Sequence, residues 1–513
     1  MRALSLFWVL VFSPSVALAD ALPDVEEMSL TELRAGYDAG DFTIMEVTRA
    51  YLDRIERFDR GGPALNSVLT LNPQALQVAE ALDRELAEGR SRGPLHGMPV
   101  LLKDNIDTAD MPTTAGSVVL KDSIPPEDAF IVKRLREAGA IVLGKANLSE
   151  WANFHSSFSS SGWSRLGGQV HNPYGEGRNP CGSSSGSGVA AAASLAAFTI
   201  GTETNGSIVC PAQANGIVGL KPTVGLWSRT GIIPISHTTD SAGPMTRTVA
   251  DAAIVLGLLA GVDGEDQATA EVDQRRHEDY TRFLKADGLA GKRIGFYTGP
   301  MGNHFRVDKL VEQAIEDLRS AGAQIIEIEK ISEQNIGDEA LEMLLYEFRA
   351  GMDAYLARLG EQAPVADYDA LIEAIREDPG ETERFDRELM FMAAERGSLD
   401  SDTYRDALQT VLEQARDKGI DRVMDEHQLD AIVSPTGSPA WKTDLTLGDN
   451  FKLSSSSPSA RAAYPIVTLP MGEIDGLPVG LSFFGRAWSE PVLLEIAYAY
   501  EQRTGHRRSP RLP

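Results

Sequence analysis

The sequence predicts an α/β protein with one large mixed β-sheet that is covered by helices on both faces. Helical and strand patterns alternate over most of the 513 residues, and no Pro/Ser-rich linker divides the chain. Such alternation is typical of a sheet that lies between two layers of helices. We therefore predict one large domain with its core at residues 60–260 and 425–505. A helical excursion is predicted at about 262–425, where Glu, Asp and Arg are frequent.

The individual elements follow from the spacing of apolar side chains. Apolar residues at i, i+3 and i+4 indicate amphipathic helices, and short apolar runs that follow a glycine stop indicate buried strands. We predict helices over residues 45–59, 73–88, 128–138, 307–320 and 402–427, and strands over residues 100–102, 140–143, 323–328 and 429–433.

Composition excludes several classes of protein. The formal net charge is −26 and the pI is near 4.8, whereas a general nucleic-acid binder or a protein that docks on anionic lipid needs a basic surface. A hydrophobic content of 42% is ordinary for a folded chain and excludes general disorder. Two cysteines cannot form a disulfide framework, and no histidine lies in a metal-binding motif. We expect no metal and no other cofactor.

Residues 1–19 have the pattern of a cleaved signal peptide. Arg2 precedes an apolar run, and the small residues Ala17 and Ala19 occupy the two positions before the cleavage site that a signal peptidase recognises. The run is shorter than the roughly 20 apolar residues that a spanning helix needs. We predict cleavage after Ala19 and a secreted or periplasmic mature protein. Cys181 and Cys210 could pair in such a compartment, but the sequence does not decide this.

Small polar residues and glycines are concentrated between residues 160 and 245. The blocks PCGSSSGSG (180–188) and GTETNGS (201–207) are each followed by an apolar segment that suits a core. A flexible linker would not explain these apolar segments. Glycine-rich turns that let the backbone approach a ligand closely do explain them.

Two short motifs offer alternative interpretations of the first block. Gly182 to Gly186 matches G-x-S-x-G, which would make Ser184 the nucleophile of an α/β-hydrolase elbow. Gly186 to Ala191 matches G-x-G-x-x-A, a dinucleotide-binding pattern. Both motifs require a preceding strand, and residues 172–180 read as a turn-rich loop instead. A phosphate-binding loop would need a lysine that the block lacks.

A longer series of motifs, in the right order, resembles the amidase signature family, whose members are serine hydrolases of amide bonds. The motifs are at residues 101–105, 182–187, 201–211, 219–223, 240–245, 464–465 and 477–480. The resemblance covers roughly residues 25–505 and implies that residues 20–513 form one amidase domain with the fold of that family. Residues 148–154, 180–187 and 487–491 are most similar to bacterial peptide amidases, which remove the C-terminal amide of peptides.

The resemblance implies a catalytic triad of Lys103, Ser183 and Ser207. Ser207 would be the nucleophile, Ser183 a bridging hydroxyl and Lys103 the base. An amide requires an activated nucleophile, a proton for the departing amine and donors for the oxyanion. Lysine can serve as a base only when it is neutral, and burial among neutral hydroxyls lowers the pKa of lysine. The apolar run before Lys103 is consistent with such burial.

Other site positions follow from the same resemblance. Backbone N–H groups of Thr204, Asn205, Gly206 and Ser207 would form the oxyanion hole. Asn205 stands where glycine is usual, and asparagine tolerates left-handed conformations better than most residues. Ser184 would support the network through hydrogen bonds. Candidate apolar walls of the substrate pocket are Phe154, Trp163, Trp441 and Tyr464.

The leading hypothesis is an exported, monomeric amidase that releases ammonia from C-terminal peptide amides. Val209 supports it, because many family members carry at this position an Arg that could clamp a substrate carboxylate. The alternative within the same chemistry is a broader amidase for aryl, fatty or amino-acid amides. A tRNA-dependent amidotransferase subunit is disfavoured by the predicted signal peptide and the low pI. A non-catalytic binding protein on the same scaffold would not require all three triad residues. We expect a small peptide or other amide as substrate, and no nucleic-acid or membrane partner.

Overall fold

The computed structural model describes residues 22–513. The strands of this part are β1 (Val68–Leu71), β2 (Pro99–Lys103), β3 (Ile141–Ala146), β4 (Trp163–Ser164), β5 (Gly168–Gln169), β6 (Phe198–Glu203), β7 (Val218–Lys221), β8 (Ser241–Thr246), β9 (Arg293–Tyr297), β10 (Gln324–Ile328), β11 (Ala431–Pro435), β12 (Ile466–Ile474) and β13 (Leu477–Phe484).

The α-helices alternate with these strands along the chain. They are α1 (Leu30–Ala39), α2 (Ile44–Arg54), α3 (Ala75–Ala87), α4 (Phe130–Glu137), α5 (Ser185–Ala192), α6 (Val209–Ala214), α7 (Val249–Leu259), α8 (Val272–Arg275), α9 (Phe305–Ser320), α10 (Gly337–Leu359), α11 (Tyr368–Glu377), α12 (Glu388–Ala394), α13 (Asp402–Ala415), α14 (Asp421–His427), α15 (Ser457–Ala462) and α16 (Glu490–Thr504). The predicted helix over 45–59 is α2, continued by a π-helix at Ile55–Arg60.

Eleven of the described strands form one sheet in the order β1-β3-β2-β6-β8-β7-β12-β13-β11-β9-β10, and β4 pairs with β5 apart from it. Strand β2 runs parallel to both β3 and β6, and β9 runs parallel to β10 and β11. The other pairs are antiparallel. Every residue of β2, β3, β6, β8 and β13 is buried, which requires cover on both faces. The predicted α/β class and mixed sheet are confirmed.

Several helices begin at side chains that satisfy their first backbone N–H groups. Ser29 and Glu32 form a reciprocal capping box at α1, and Thr43 and Glu46 form another at α2. Such caps fix where a helix begins, because the first N–H groups of a helix have no partner within it. Local sequence therefore sets these boundaries independently of the sheet.

The predicted excursion over 262–425 is not helical throughout. Strands β9 and β10 lie within it and form one edge of the large sheet. Helices α8 and α9 accompany these strands, and α10 to α12 build a second apolar cluster with Leu120, Trp151 and Ile233. The strand predicted over 323–328 is β10, whereas β9 was not predicted and its residues were assigned by composition to the helical excursion.

The predicted signal peptide, residues 1–19, lies outside the described residues. Within residues 22–513, no helix combines the length and the apolar character needed to cross a membrane.

Candidate active site

Lys103 is the last residue of β2, inside the large sheet. Leu102 of β2 pairs with Ile200 of the parallel strand β6, so the carboxyl ends of both strands reach the same edge. In open α/β sheets this edge is where ligand sites commonly form. The Lys103 side chain is fully buried there.

Three polar groups surround the amino group of Lys103. Its Nζ lies 2.7 Å from Ser183 Oγ, 2.9 Å from Thr202 Oγ1 and 3.2 Å from the Thr202 carbonyl oxygen. Burial lowers the pKa of Lys103 to about 7, and the negative charges of Asp240 and Glu203 oppose this shift. Near neutral pH a large share of Lys103 is therefore the free amine, whose lone pair can accept a proton from Ser183.

Ser183 and Ser184 join three segments of the chain at this point. The Gly182–Ser183 peptide bond is cis, and the Ser183 carbonyl oxygen accepts a hydrogen bond from Ser149 N–H at 3.1 Å. Ser184 N–H donates to the Ser207 carbonyl oxygen at 3.1 Å, and Ser184 Oγ donates to the Thr202 carbonyl oxygen at 3.0 Å. Ser184 thus ties the glycine/serine block to β6 and to Ser207.

The elbow interpretation of Ser184 lacks its structural context. Ser184 does precede a helix, α5, but the previous strand β5 ends fifteen residues earlier at Gln169 and lies outside the large sheet. The dinucleotide-binding interpretation of Gly186 to Ala191 also requires a strand directly before the motif, so the structure does not support it either.

The segment from Thr204 to Ser207 links β6 to α6. Gly206 has φ +85°, and a Cβ at this position would lie 3.1 Å from Ser456 Oγ. Asn205 is not left-handed; its Oδ1 accepts a hydrogen bond from Ser456 Oγ at 2.7 Å, and its Nδ2 donates to Ser457 Oγ at 3.2 Å. The expectation of left-handed backbone at 205 was therefore misplaced by one residue, and asparagine fits through side-chain hydrogen bonds instead.

Two carboxylates hold this segment in place. Glu203 Oε2 accepts hydrogen bonds from Ile208 N–H at 2.7 Å and Val209 N–H at 3.0 Å, where α6 begins. Asp240 accepts from Thr204 Oγ1 at 2.6 Å and from Ile235 N–H at 2.7 Å. An acceptor at a helix N-terminus satisfies otherwise unpaired N–H groups.

No role was predicted for Thr202 or Glu203, although both lie in the GTETNGS motif. The available signal was their position at the end of the strand that leads to Ser207. Asn105, in the motif of Lys103, was also missed, and its Nδ2 donates to Thr202 Oγ1 at 3.0 Å.

Ser207 lines two adjoining pockets. The wide pocket, about 680 Å³, is also lined by Asn105, Ser183, Ile233, Ala354 and Tyr355. The aromatic pocket, about 350 Å³, is also lined by Cys181, Phe154, Trp441, Phe451 and Ser454. Thr204, Ala152 and Ile235 border both pockets. Ser207 therefore stands where a ligand could extend in two directions.

The four aromatic residues predicted as pocket walls divide into two pairs. Phe154 and Trp441 line the aromatic pocket, where Trp441 Nε1 donates to Asp449 at 3.1 Å. Trp163 packs against Phe385 with ring centroids 5.1 Å apart, and Tyr464 donates to Asp421 at 2.8 Å in a separate core cluster. Neither Trp163 nor Tyr464 lines the wide or the aromatic pocket, so their placement does not support a role as pocket walls.

Cys181 and Cys210 form a disulfide, with their Cα atoms 5.9 Å apart. The disulfide connects the segment that contains Ser183 to the segment that contains Ser207, because Cys181 lies two residues before Ser183 and Cys210 lies three residues after Ser207. Both cysteines line the aromatic pocket. The pairing that the sequence left open is thus present. No group of three or more His, Cys, Asp or Glu side chains suited to a metal ion occurs within residues 22–513.

Comparison with known proteins identifies the family. The family model named Amidase matches residues 46–494. The chain belongs to the amidase signature family. It is 40% identical to an Arabidopsis thaliana protein named probable amidase, over 95% of this chain and 92% of that protein. The resemblance predicted from the motifs is therefore confirmed, and the chain is an amide hydrolase.

Two solved structures extend this comparison to the fold. Native peptide amidase from Stenotrophomonas maltophilia has 49% identity and a TM-score of 0.92, over 95% of this chain and 99% of that one. An amidase family protein from Bacillus anthracis has 38% identity and a TM-score of 0.87, over 95% and 93%. The large mixed sheet is thus shared with solved amidases over nearly the full described length.

Proposed function

We propose that this amidase hydrolyses the C-terminal amide of peptides to a free acid and ammonia. The observation that carries the proposal is the buried contact of 2.7 Å between Lys103 Nζ and Ser183 Oγ at a pocket that Ser207 also lines. The 49% identity to a peptide amidase supports the choice of substrate within the family.

In the proposed reaction, Lys103 as free amine accepts the proton of Ser183, and Ser183 accepts the proton of Ser207. Ser207 Oγ attacks the carbonyl carbon, and backbone N–H groups of residues 204–207 stabilise the oxyanion. Ser183 then returns the proton to the amide nitrogen, so that ammonia leaves and an acyl-Ser207 ester remains. Water repeats the sequence on the ester and releases the acid.

The aromatic pocket suits the side chain that precedes the amide. Phe154, Trp441 and Phe451 supply apolar walls, and burial of an aromatic or aliphatic side chain there would contribute about 1.5–3 kcal/mol. Val209 is buried at the start of α6 and provides no cation for a substrate carboxylate. These features favour a neutral amide with an apolar neighbour.

The test uses a short C-terminally amidated peptide and follows ammonia release and the amide-to-acid mass change. Ser207→Ala is expected to abolish turnover, because the attacking oxygen is removed. Ser187→Ala is the matched control: this serine lies in the same buried block, but its Oγ donates to the Ile200 carbonyl oxygen at 3.0 Å and lines neither pocket. We expect it to retain activity. Full ammonia release by Ser207→Ala would refute the assignment.

A broader amidase for aryl, fatty or amino-acid amides remains the alternative. It would be supported if amidated peptides are left intact while a simple aryl or fatty amide is hydrolysed by the wild type and not by Ser207→Ala. The mechanism would then stand and the substrate class would change.

We also propose that the chain is exported and acts as a monomer. The disulfide between Cys181 and Cys210 supports export, since disulfides persist mainly in oxidising compartments. N-terminal sequencing of the exported protein should begin at Asp20, and light scattering should give the mass of one chain.

A further inference from the structure

The wide pocket is much larger than the ammonia that the proposed reaction releases. Its volume is about 680 Å³, roughly twenty times the ~30 Å³ that a water molecule, similar in size to ammonia, occupies in the liquid. An enzyme restricted to primary amides would need no such space beside its leaving group.

The position of Ser183 indicates which part of a substrate faces the wide pocket. The leaving nitrogen must face the hydroxyl that returns its proton, and Ser183 lines the wide pocket. Of the four residues proposed for the oxyanion hole, Thr204 and Ser207 line both pockets, whereas Asn205 and Gly206 line the aromatic pocket and not the wide pocket. With the peptide in the aromatic pocket, a substituent on the amide nitrogen would extend into the wide pocket.

The walls of the wide pocket suit an uncharged, apolar substituent. Ile232, Ile233, Pro234 and Ala354 contribute apolar surface. An apolar group that leaves water for such a surface gains about 25 cal/mol per Å².

The charges at the wide pocket disfavour an anionic substituent. Arg229 is bound by Asp266, with Nη2 2.6 Å from Oδ1, and Arg358 is paired with Glu265. Glu203 and Asp240 also line the pocket, so four acidic residues face two arginines that are already paired. The other basic side chain of the lining, His237, lies 3.4 Å from a carboxylate oxygen of Glu347. An amino acid with a free carboxylate would therefore meet only cations that already have an acidic partner, and burial of an unpaired charge is costly.

We propose that this amidase also hydrolyses secondary C-terminal amides whose nitrogen carries a neutral apolar group, with that group bound in the wide pocket. The inference rests on the proposed function. For an N-benzyl amide, Ser207 Oγ forms the bond to the carbonyl carbon, and the carbon–nitrogen bond breaks as Ser183 returns the proton. Benzylamine leaves, and water then cleaves the acyl-serine ester. One amide and one water give one acid and one amine.

The experiment compares three forms of one peptide: the primary amide, the N-benzyl amide, and the same peptide extended by a C-terminal phenylalanine with a free carboxylate. Chromatography follows ammonia, benzylamine and phenylalanine. We expect kcat/KM for the N-benzyl amide within about 100-fold of that for the primary amide, and no release of phenylalanine. Ser207→Ala should release none of the three products.

Two matched variants test which part of the substrate each pocket binds. Ala354→Phe narrows the wide pocket from an exposed position on α10, and Ser454→Phe narrows the aromatic pocket from an exposed position. The readout is the ratio of kcat/KM for the N-benzyl amide to kcat/KM for the primary amide. Ala354→Phe should lower this ratio at least tenfold, and Ser454→Phe should leave it within about twofold. Circular dichroism checks that both variants are folded.

The inference and the proposed function fail in different ways. Hydrolysis of the primary amide without any benzylamine release would overturn the inference alone. An equal loss on both substrates in Ala354→Phe would overturn the pocket assignment, since the wide pocket would then hold the peptide. Loss of both reactions in the wild type would overturn the proposed function and the inference together.

Discussion

Lys103 and Lys145 are two buried lysines on neighbouring strands with different surroundings. Lys103 ends β2 and Lys145 lies in the parallel strand β3, opposite Leu102. Both side chains have no exposed surface. Lys145 Nζ lies 3.3 Å from a carboxylate oxygen of Asp104 and donates to Thr113 Oγ1 at 2.9 Å. The direct contacts of Lys103 are neutral oxygens of Ser183 and Thr202.

The difference shows that the partner of a buried lysine decides its chemistry. A carboxylate in contact compensates an ammonium for the loss of water, whereas neutral hydroxyls do so only in part. Lys145 is therefore suited to stabilise the fold through its ion pair, and Lys103 is suited to accept and donate a proton. The four predictions below test this contrast, beginning with the largest expected effect.

Replacement of Lys103 should remove activity without loss of the fold. Lys103→Met keeps similar volume but cannot accept a proton, so kcat for an amidated peptide should fall about 10²- to 10⁴-fold, the usual contribution of a general base. Steady-state ammonia release measures the change. A variant that is folded and retains more than a tenth of wild-type kcat would show that Lys103 is not the base.

Replacement of Lys145 should instead destabilise the fold. Lys145→Met leaves Asp104 buried without its cation, and loss of one partner of a buried ion pair costs about 3–5 kcal/mol. Urea denaturation of this variant beside Lys103→Met measures the difference in unfolding free energy. If Lys103→Met is the less stable of the two, the contrast between the two lysines is wrong.

The pH dependence of activity should reflect the protonation of Lys103. Burial lowers its pKa to about 7, and the protonated form cannot accept a proton. Below that pH, kcat/KM should therefore fall about tenfold per unit. Asp240 opposes the shift, so Asp240→Asn should move this acid limb to lower pH. A limb that stays in place or moves upward would mean that another group controls it.

The free energy of unfolding should also depend on the protonation of Lys103, with a smaller effect than that on activity. The pKa of Lys103 is lower in the folded state than in the unfolded chain, so between about pH 7 and 10.5 the unfolded state binds more protons. Stability rises with pH in that situation. Denaturation at several pH values should show the wild type gaining stability relative to Lys103→Met across this window. A constant difference would contradict a neutral, buried Lys103.

Much of the fold was predictable because local patterns survive in the final structure. The apolar run 100–102 and the helix over 307–320 appear as β2 and α9. The strand predicted over 323–328 appears as β10, but composition could not distinguish β9 from its helical surroundings. Whether a short apolar run joins a sheet depends on a distant partner strand, here β11.

The site was predictable in its residue types and only partly in its surroundings. Motif resemblance named Lys103, Ser183 and Ser207: the two serines line the wide pocket, and Lys103 contacts Ser183 behind it. It did not name Asn105 or Thr202, whose contacts exist only because β2 and β6 lie side by side. Two of the four candidate aromatic residues, Phe154 and Trp441, line a pocket at Ser207, since aromatic character alone does not indicate which cavity a side chain faces.

The sequence by itself determined the family, the α/β class and the positions of the motifs, because these depend on residue type and order along the chain. Only the tertiary structure decided the pairing of Cys181 with Cys210 and the two pockets at Ser207. It also decided the different surroundings of Lys103 and Lys145. Each of these depends on distances between segments far apart in sequence, and a pKa or a pocket wall is set by what folding brings within a few ångströms.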